Sequence, residues 1–172
     1  MQLVSIEREN IVHFGRLMAL TGVIIGIIGL FLKALSTDGE GLLPALSADN
    51  PAFPESIPTI WGGLDTWAQI VLVILIIVVV VLAFYGARAA AMDRNSSMVT
   101  AVIGAALLVY AVIKMLDAND EAETLAAGFG QAAGAGAIPE AYAVGTGIGF
   151  LILIVGTVLV IAGGLSGLRD SD

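Results

Sequence analysis

The chain has 172 residues, of which 58% are hydrophobic and 13% are charged. Charged residues make up about 25% of an ordinary soluble domain, so this composition excludes that class and indicates a chain whose main solvent is lipid. The formal net charge of −8 makes nucleic acid an implausible ligand, and the absence of cysteine excludes disulfides, a thiol nucleophile and thiolate metal sites.

Four long apolar stretches predict an all-α membrane protein with four transmembrane helices in an antiparallel bundle. A helix that crosses the hydrocarbon core needs about 20 apolar residues, with a range of about 17 to 25. The predicted spans are 14–33, 67–88, 97–116 and 141–168, and the external loops are 34–66 and 117–140. The spans absorb so much of the chain that we expect residues 1–172 to form a single transmembrane domain.

The basic residues predict that both termini lie in the cytoplasm. All five arginines fall on one side of this topology, whereas Lys33 and Lys114 fall on the other, as the positive-inside tendency expects. The arginines are Arg8, Arg16, Arg88, Arg94 and Arg169. Each external loop then holds five acidic residues and one flanking lysine, which gives it a net charge of −4.

The first predicted span carries four glycines, Gly15, Gly22, Gly26 and Gly29. At about 100° per residue they form a stripe about 60° wide along one side of the helix. Small residues in such a stripe let two helix backbones approach closely, so this face is a candidate helix-packing interface.

The first external loop is predicted to be an ordered but irregular lobe. Its prolines disfavour a regular helix or a central strand, and they also restrict the unfolded chain. These prolines are Pro44, Pro51, Pro54 and Pro58. Near the end of the loop, Trp61 and Trp67 suit the membrane surface, and we assign them as interfacial anchors.

The second span is an uninterrupted run of valine, isoleucine and leucine, which we expect to face lipid. Tyr85 and Arg88 are assigned as interfacial anchors at its inner end. A short turn then makes the second and third spans an antiparallel hairpin, with Asn95 or Ser96 as the helix N-cap.

The third span is predicted to end near Lys114, a further interfacial anchor. Good helix formers follow over residues 115–127, so a helix that continues outward or restarts after Asn119 remains open. The glycine- and alanine-rich segment 128–137 is predicted to be a flexible part of the second external loop.

The fourth span carries a second glycine stripe, formed by Gly145, Gly149, Gly156, Gly163 and Gly167. These glycines fall within about 40° of one another on a helix. Because the first and fourth spans run in opposite directions, an antiparallel contact between their glycine faces is the simplest pairing. The sequence leaves open whether the stripes pack within one chain or between chains.

No motif in the sequence specifies a chemistry. The middle of each span lacks the ionisable side chains that enzymes and ion-coupled transporters place within the membrane. The single histidine, His13, is interpreted as a polar interfacial residue. The second loop lacks the glycine at 133 that a GxGxxG phosphate motif requires, and its acidic residues match no EF-hand spacing. We therefore expect no enzymatic activity, no cofactor and no metal site.

The segment Trp61-Gly62-Gly63-Leu64-Asp65-Thr66-Trp67, in a longer first loop between two of four spans, resembles the layout of the claudins. The first loop of that family carries a tryptophan and a Gly-Leu-Trp element. This chain lacks the cysteine pair of the claudins and differs from them in spacing, so we assign it to no family. The resemblance implies a self-associating envelope or adhesion protein.

Packing features outnumber chemical ones and predict a non-catalytic accessory subunit of a larger integral membrane complex, for example a respiratory or other energy-transducing or envelope assembly. Its partners are then other integral membrane subunits or copies of itself, together with membrane lipids. A small homo-oligomeric channel or transporter is the alternative, and the claudin-like protein is the second alternative. The excess of arginine over lysine and the acidic loops indicate the cell membrane of a high-GC bacterium or a halophile.

Overall fold

The computed structural model describes residues 12–86 and 90–169, and most of these residues are helical. In this part of the chain, five helices and two short strands follow one another: α1 (Phe14–Leu30), β1 (Leu35–Thr37), α2 (Leu43–Asp49), α3 (Thr66–Phe84), α4 (Arg94–Gly134), β2 (Val144–Thr146) and α5 (Ile148–Arg169). A 3-10 turn, Glu40–Leu42, comes directly before α2.

Three of these helices, α3, α4 and α5, are long and apolar enough to cross a membrane. Helix α1 is also apolar but has 17 residues, so it rises about 26 Å against a hydrocarbon core of about 30 Å. The described residues therefore contain three candidate spans and one shorter apolar helix. They are compatible with a membrane-embedded protein.

The chain divides into two compact units. We call Met1–Ile27, Asp65–Val109 and Ile154–Asp172 the helical unit, and Ile28–Leu64 and Tyr110–Leu153 the acidic lobe. In the helical unit, each of α1, α3, α4 and α5 contributes one buried branched side chain to a common cluster. The four residues are Val23, Val79, Ile103 and Val160.

The acidic lobe is held together by backbone hydrogen bonds around two short strands. β1 pairs antiparallel with β2, so that Leu35 lies opposite Thr146. Three further amides fasten the end of α1 to the proline-rich loop, with Ala34 donating to Pro58, Ile60 to Leu32 and Trp61 to Leu30. The described backbone of the loop is therefore hydrogen-bonded to the residues at the end of α1.

Three aromatic rings form the centre of the acidic lobe. Phe129 is fully buried, with its ring centroid 5.9 Å from that of Phe53 and 5.6 Å from that of Tyr142. A Cβ atom added to Gly39 would lie 2.7 Å from the ring of Tyr142. Only glycine therefore allows the backbone to come this close to the rings.

Helix α4 corrects the predicted boundaries of the third span and the second external loop. Residues 117–134 are helical, including most of the glycine- and alanine-rich segment that was expected to be flexible. The helix persists because four of its residues share one buried face at helical spacing. They are Ala118, Ala122, Leu125 and Phe129.

Two further predictions about the loops were wrong. The proline-rich loop contains the helix α2, because Pro44 occupies its first turn, where a missing N–H costs no intrahelical bond. The fourth span was expected to begin at 141, but α5 begins at Ile148. Gly145 consequently lies in β2. This strand has three residues, which are too few to produce a recognisable strand pattern in the sequence.

Candidate functional site

The glycines of α1 and α5 meet backbone to backbone in the helical unit. A Cβ atom added to Gly163 would lie 2.6 Å from the carbonyl oxygen of Gly15, and one added to Gly156 would lie 2.5 Å from the amide of Gly26. The pairing is antiparallel, because low numbers in α1 meet high numbers in α5. The two helices can therefore approach this closely only if neither carries a side chain at these positions.

The other glycines of the predicted stripes have different neighbours. Gly29 and Gly149 face each other within the acidic lobe, where a Cβ on Gly29 would lie 2.9 Å from the carbonyl oxygen of Gly149. Gly167 packs mainly against Ser97 of α4, and its amide also lies 3.4 Å from the position of a Cβ atom added to Gly15 of α1. Gly145 is exposed and has no atom within 4 Å of an added Cβ. The glycine stripe of the fourth span therefore contacts two helices, α1 and α4. Its first residue, Gly145, lies in β2 and not in α5.

Two glycines outside the predicted stripes also pack closely. A Cβ atom on Gly164 would lie 2.6 Å from the amide of Ala101, and one on Gly104 would lie 2.9 Å from the side chain of Ile161. Both glycines lie between α4 and α5. The consecutive glycines Gly163 and Gly164 could have indicated this second contact. Neighbouring residues on a helix point in different directions, so two adjacent glycines can pack against two different helices.

Arg16 is a buried cation that links α1 to the end of α3. It is 2% exposed, and its guanidinium donates at 2.8 Å to the carbonyl of Ala83 and at 2.7 Å to that of Tyr85. It donates further at 2.9 Å to Ala90 and at 3.2 Å to Ala91. The last carbonyls of a helix lack intrahelical partners, and a cation near them is favourable. Arg16 therefore secures the end of α3 together with the chain that follows it.

The sequence placed Arg16 only in a count of cytoplasmic charges. The sequence gives only a weak indication that Arg16 is buried. The arginine directly follows Gly15, which belongs to the closely packed glycine face. Arg88, which was assigned as an anchor, lies outside the described residues.

Buried hydroxyl groups line the start of α4 and the middle of α5. Thr157 donates to the carbonyl of Ile154 at 2.8 Å, and Ser97 donates to that of Met92 at 3.3 Å. Thr100 is fully buried, and its hydroxyl has no hydrogen-bond partner in the described part of the chain. An unpaired buried hydroxyl carries a desolvation cost, so Thr100 is a locally unfavourable residue.

Asp93 caps α4, whereas the sequence had suggested Asn95 or Ser96. The Ser96 hydroxyl donates to one carboxylate oxygen at 2.5 Å, and the Ser96 amide donates to the other at 3.2 Å. These two hydrogen bonds, the hydroxyl bond first, hold the pKa of the Asp93 carboxyl below its usual 3.8. An N-cap carboxylate of this kind satisfies a free amide of the first helical turn.

The remaining predicted anchors are Trp67 and Tyr85 at the two ends of α3, Trp61 in the loop before it, and Lys114 within α4. Trp67, in the first turn of α3, is 74% exposed, and Tyr85, just after α3, is 70% exposed. Trp61 is half-buried, with its ring centroid 6.1 Å from that of Phe31. Lys114 forms an ion pair with Asp117 at 3.0 Å. The two exposed rings have the amphipathic character that suits a membrane surface.

The acidic lobe holds most of the negative charge of the chain. It contains nine acidic and two basic residues, so it carries −7 of the formal −8. Within the lobe, the ion pairs between described residues are Lys33 with Glu40 and Lys114 with Asp117. Most of its carboxylates therefore face solvent without a cationic neighbour on the lobe itself.

An open cavity of about 810 Å³ lies between the proline-rich loop and α4. Phe53, Ile57 and Leu125 provide apolar lining, and Asp120 and Glu121 provide carboxylates. A second cavity, of about 180 Å³, shares Pro58 and Glu121 with the first. We call these two adjoining cavities the lobe groove.

The groove can hold a ligand by apolar contact and by ionic attraction. In the described residues, no group of three or more histidine, cysteine, aspartate or glutamate side chains is arranged to hold a metal ion. No family model, curated protein or solved structure matches the chain. The fold defines a helical protein whose long apolar helices are compatible with a membrane.

Proposed function

We propose that the protein is a non-catalytic accessory subunit of a larger integral membrane complex, with four spans and both termini in the cytoplasm. The proposal depends on a difference between the glycine faces and the lobe groove. The glycine faces of α1 and α5 are occupied by each other, whereas the acidic lobe leaves a groove open. The lobe, and not the glycine stripe, is then the surface offered to a partner.

The length of α4 supports a third span that ends within this helix. At 41 residues the helix rises about 61 Å, which is about twice the hydrocarbon thickness. In the proposed topology, its first half crosses the membrane and the part after Lys114 continues beyond it. The acidic residues of α4 begin at Asp117, where that outer part begins.

The exposed side of α3 supplies a second contact surface. Ile70, Ile74, Ile77 and Val81 are all exposed and recur at helical spacing along one face. A branched apolar face without small residues suits lipid, and it equally suits loose packing against the helix of another subunit. This face adds a membrane-embedded contact to the one offered by the lobe.

Photo-crosslinking in intact membranes tests the proposal. A photoreactive amino acid at exposed Ser56 reports on the lobe, and one at Ile74 reports on α3. We expect both positions to cross-link to other integral membrane proteins, and to the same set. Cross-links confined to lipid would contradict the proposal. Cross-links confined to copies of the chain would also contradict it, and they would favour the homo-oligomeric channel or the self-associating adhesion protein.

A further inference from the structure

We propose that the lobe groove binds a basic segment of a partner protein, with an apolar side chain in the cavity and lysine or arginine beside Asp120 and Glu121. This inference rests on the proposed function as an accessory subunit and adds the chemistry of the partner. It assigns a role to the outer part of α4, which the sequence had treated mainly as a loop.

The shape of the groove suits a length of polypeptide. Its lining residues on α4 extend from Lys114 to Gln131, a rise of about 26 Å. About eight residues of extended chain cover that distance. Both cavities are partly open to solvent, unlike the pockets that enclose most of a small molecule. An elongated open groove beside a helix is a common form of peptide-binding surface.

The charge of the groove selects a basic segment. Asp120 and Glu121 are exposed, and neither forms an ion pair with another described residue. Lys33 pairs with Glu40, and Lys114, which lines the smaller cavity, pairs with Asp117, so neither lysine lines the larger cavity. A partner of opposite charge is attracted to this surface, and an acidic partner is repelled from it.

The apolar lining provides the anchor. Phe53, Ile57 and Leu125 are buried members of the lobe core that also line the cavity. A Cβ atom on Gly128 would lie 3.1 Å from the ring of Phe53, so the glycine lets that ring lie directly against the helix. An apolar side chain of the partner would therefore contact a preformed surface, which lowers the ordering cost of binding.

The test uses the full chain, purified in mild detergent at low ionic strength, and a fluorescent peptide of alternating lysine and leucine. Anisotropy gives the Kd. We expect the peptide to bind, and a peptide with glutamate in place of lysine not to bind. No binding of the lysine peptide to the unmodified chain overturns the proposal.

Matched charge variants distinguish binding in the groove from attraction to the overall negative charge of the lobe. Asp120→Asn with Glu121→Gln removes two charges inside the groove, and Glu123→Gln with Glu140→Gln removes two charges outside it. We expect the first pair to weaken binding about fivefold and the second to change it by less than about twofold. Equal weakening by both pairs overturns the proposal, because it shows attraction to the charge of the lobe as a whole.

A neutral blocking variant tests the cavity itself. Thr124→Trp places a large ring in the groove without changing charge, and Gly130→Trp places the same ring at an exposed position outside it. With both variants folded to the same melting temperature, we expect Thr124→Trp alone to lose peptide binding. Unchanged binding by Thr124→Trp overturns the proposal.

Failure of the groove can be told apart from failure of the proposed function. A chain that cross-links to other membrane subunits, but whose groove variants bind the peptide like the unmodified protein, keeps its function and loses the groove. A chain that cross-links to lipid alone, yet binds the peptide through the groove, keeps the groove and loses the function as an accessory subunit.

Discussion

Gly22 of α1 and Gly156 of α5 contact each other reciprocally through their backbones. A Cβ atom on Gly22 would lie 2.5 Å from the carbonyl oxygen of Gly156, and one on Gly156 would lie 2.7 Å from that of Gly22. Backbone atoms cannot rotate away as a side chain can. Any side chain at either position must therefore push the two helices apart.

Gly156→Ala is expected to lower the free energy of unfolding by about 1–3 kcal/mol, because the added methyl group overpacks this contact. Gly130→Ala is the control, since an added Cβ there has no atom within 4 Å. It should leave stability unchanged or raise it by up to about 1 kcal/mol through helix propensity. Denaturant titration in detergent measures both, and equal effects would mean that the close contact is not formed.

Arg16→Met is expected to destabilise the helical unit by about 2–3 kcal/mol, because the buried carbonyl of Ala83 and three part-buried carbonyls lose a charged donor. Arg16→Lys should recover only a small part of this loss, since a single ammonium group cannot reach carbonyls spread from Ala83 to Ala91.

The control for Arg16 is Arg94→Met, at an exposed arginine in the first turn of α4. It should change stability by less than about 0.5 kcal/mol. If Arg16→Met and Arg94→Met shift the thermal midpoint equally in the same detergent, Arg16 does not secure the end of α3.

Thr100→Val is expected to raise stability by about 1 kcal/mol, because it removes a buried hydroxyl that has no partner in the described residues. Thr157→Val is the matched change on α5, where the hydroxyl donates to the carbonyl of Ile154. It should be neutral or destabilising. Melting temperatures of the two variants check the prediction, which fails if Thr100→Val is the less stable of the pair.

Ser96→Ala is expected to raise the pKa of Asp93 toward 3.8, because it removes the hydrogen bond that lowers this pKa most. A lowered pKa in the folded state means that the ionised cap stabilises the protein above the usual pKa. That contribution disappears as the pH falls through the lowered value. In Ser96→Ala, this contribution to stability should begin to disappear at a higher pH than in the native protein.

Carbon NMR titration of the Asp93 carboxyl group measures this shift. Asn95→Ala leaves the Ser96 hydroxyl in place and should keep the lowered pKa. An Asp93 pKa that is the same in the native protein and in Ser96→Ala would refute the assignment of the cap.

The sequence predicted the membrane-compatible helices because their apolar runs are long enough to identify without tertiary information. It also placed the glycines of α1 and α5 on opposing faces, since angular spacing on a helix follows from residue number alone. Gly145 differs from the prediction, because it lies in a strand that exists only through pairing with β1. Gly167 packs mainly against Ser97 of α4.

The groove and the role of Arg16 could not be predicted in the same way. The groove exists because α4 continues past Lys114, and that continuation depends on burying Phe129 against rings distant in sequence. Arg16 is buried only because the carbonyls of Ala83, Tyr85, Ala90 and Ala91 come within reach. Both features arise from contacts between distant parts of the chain, which composition and periodicity do not contain.

The mass of the particle that holds this chain in gentle extracts of its own membrane tests the account most directly. The chain itself has a mass of 17.6 kDa. We predict that it migrates in a native gel in a much larger particle, together with other membrane polypeptides in fixed proportion. A detergent-bound monomer, or a ring made of this chain alone, would contradict an accessory subunit.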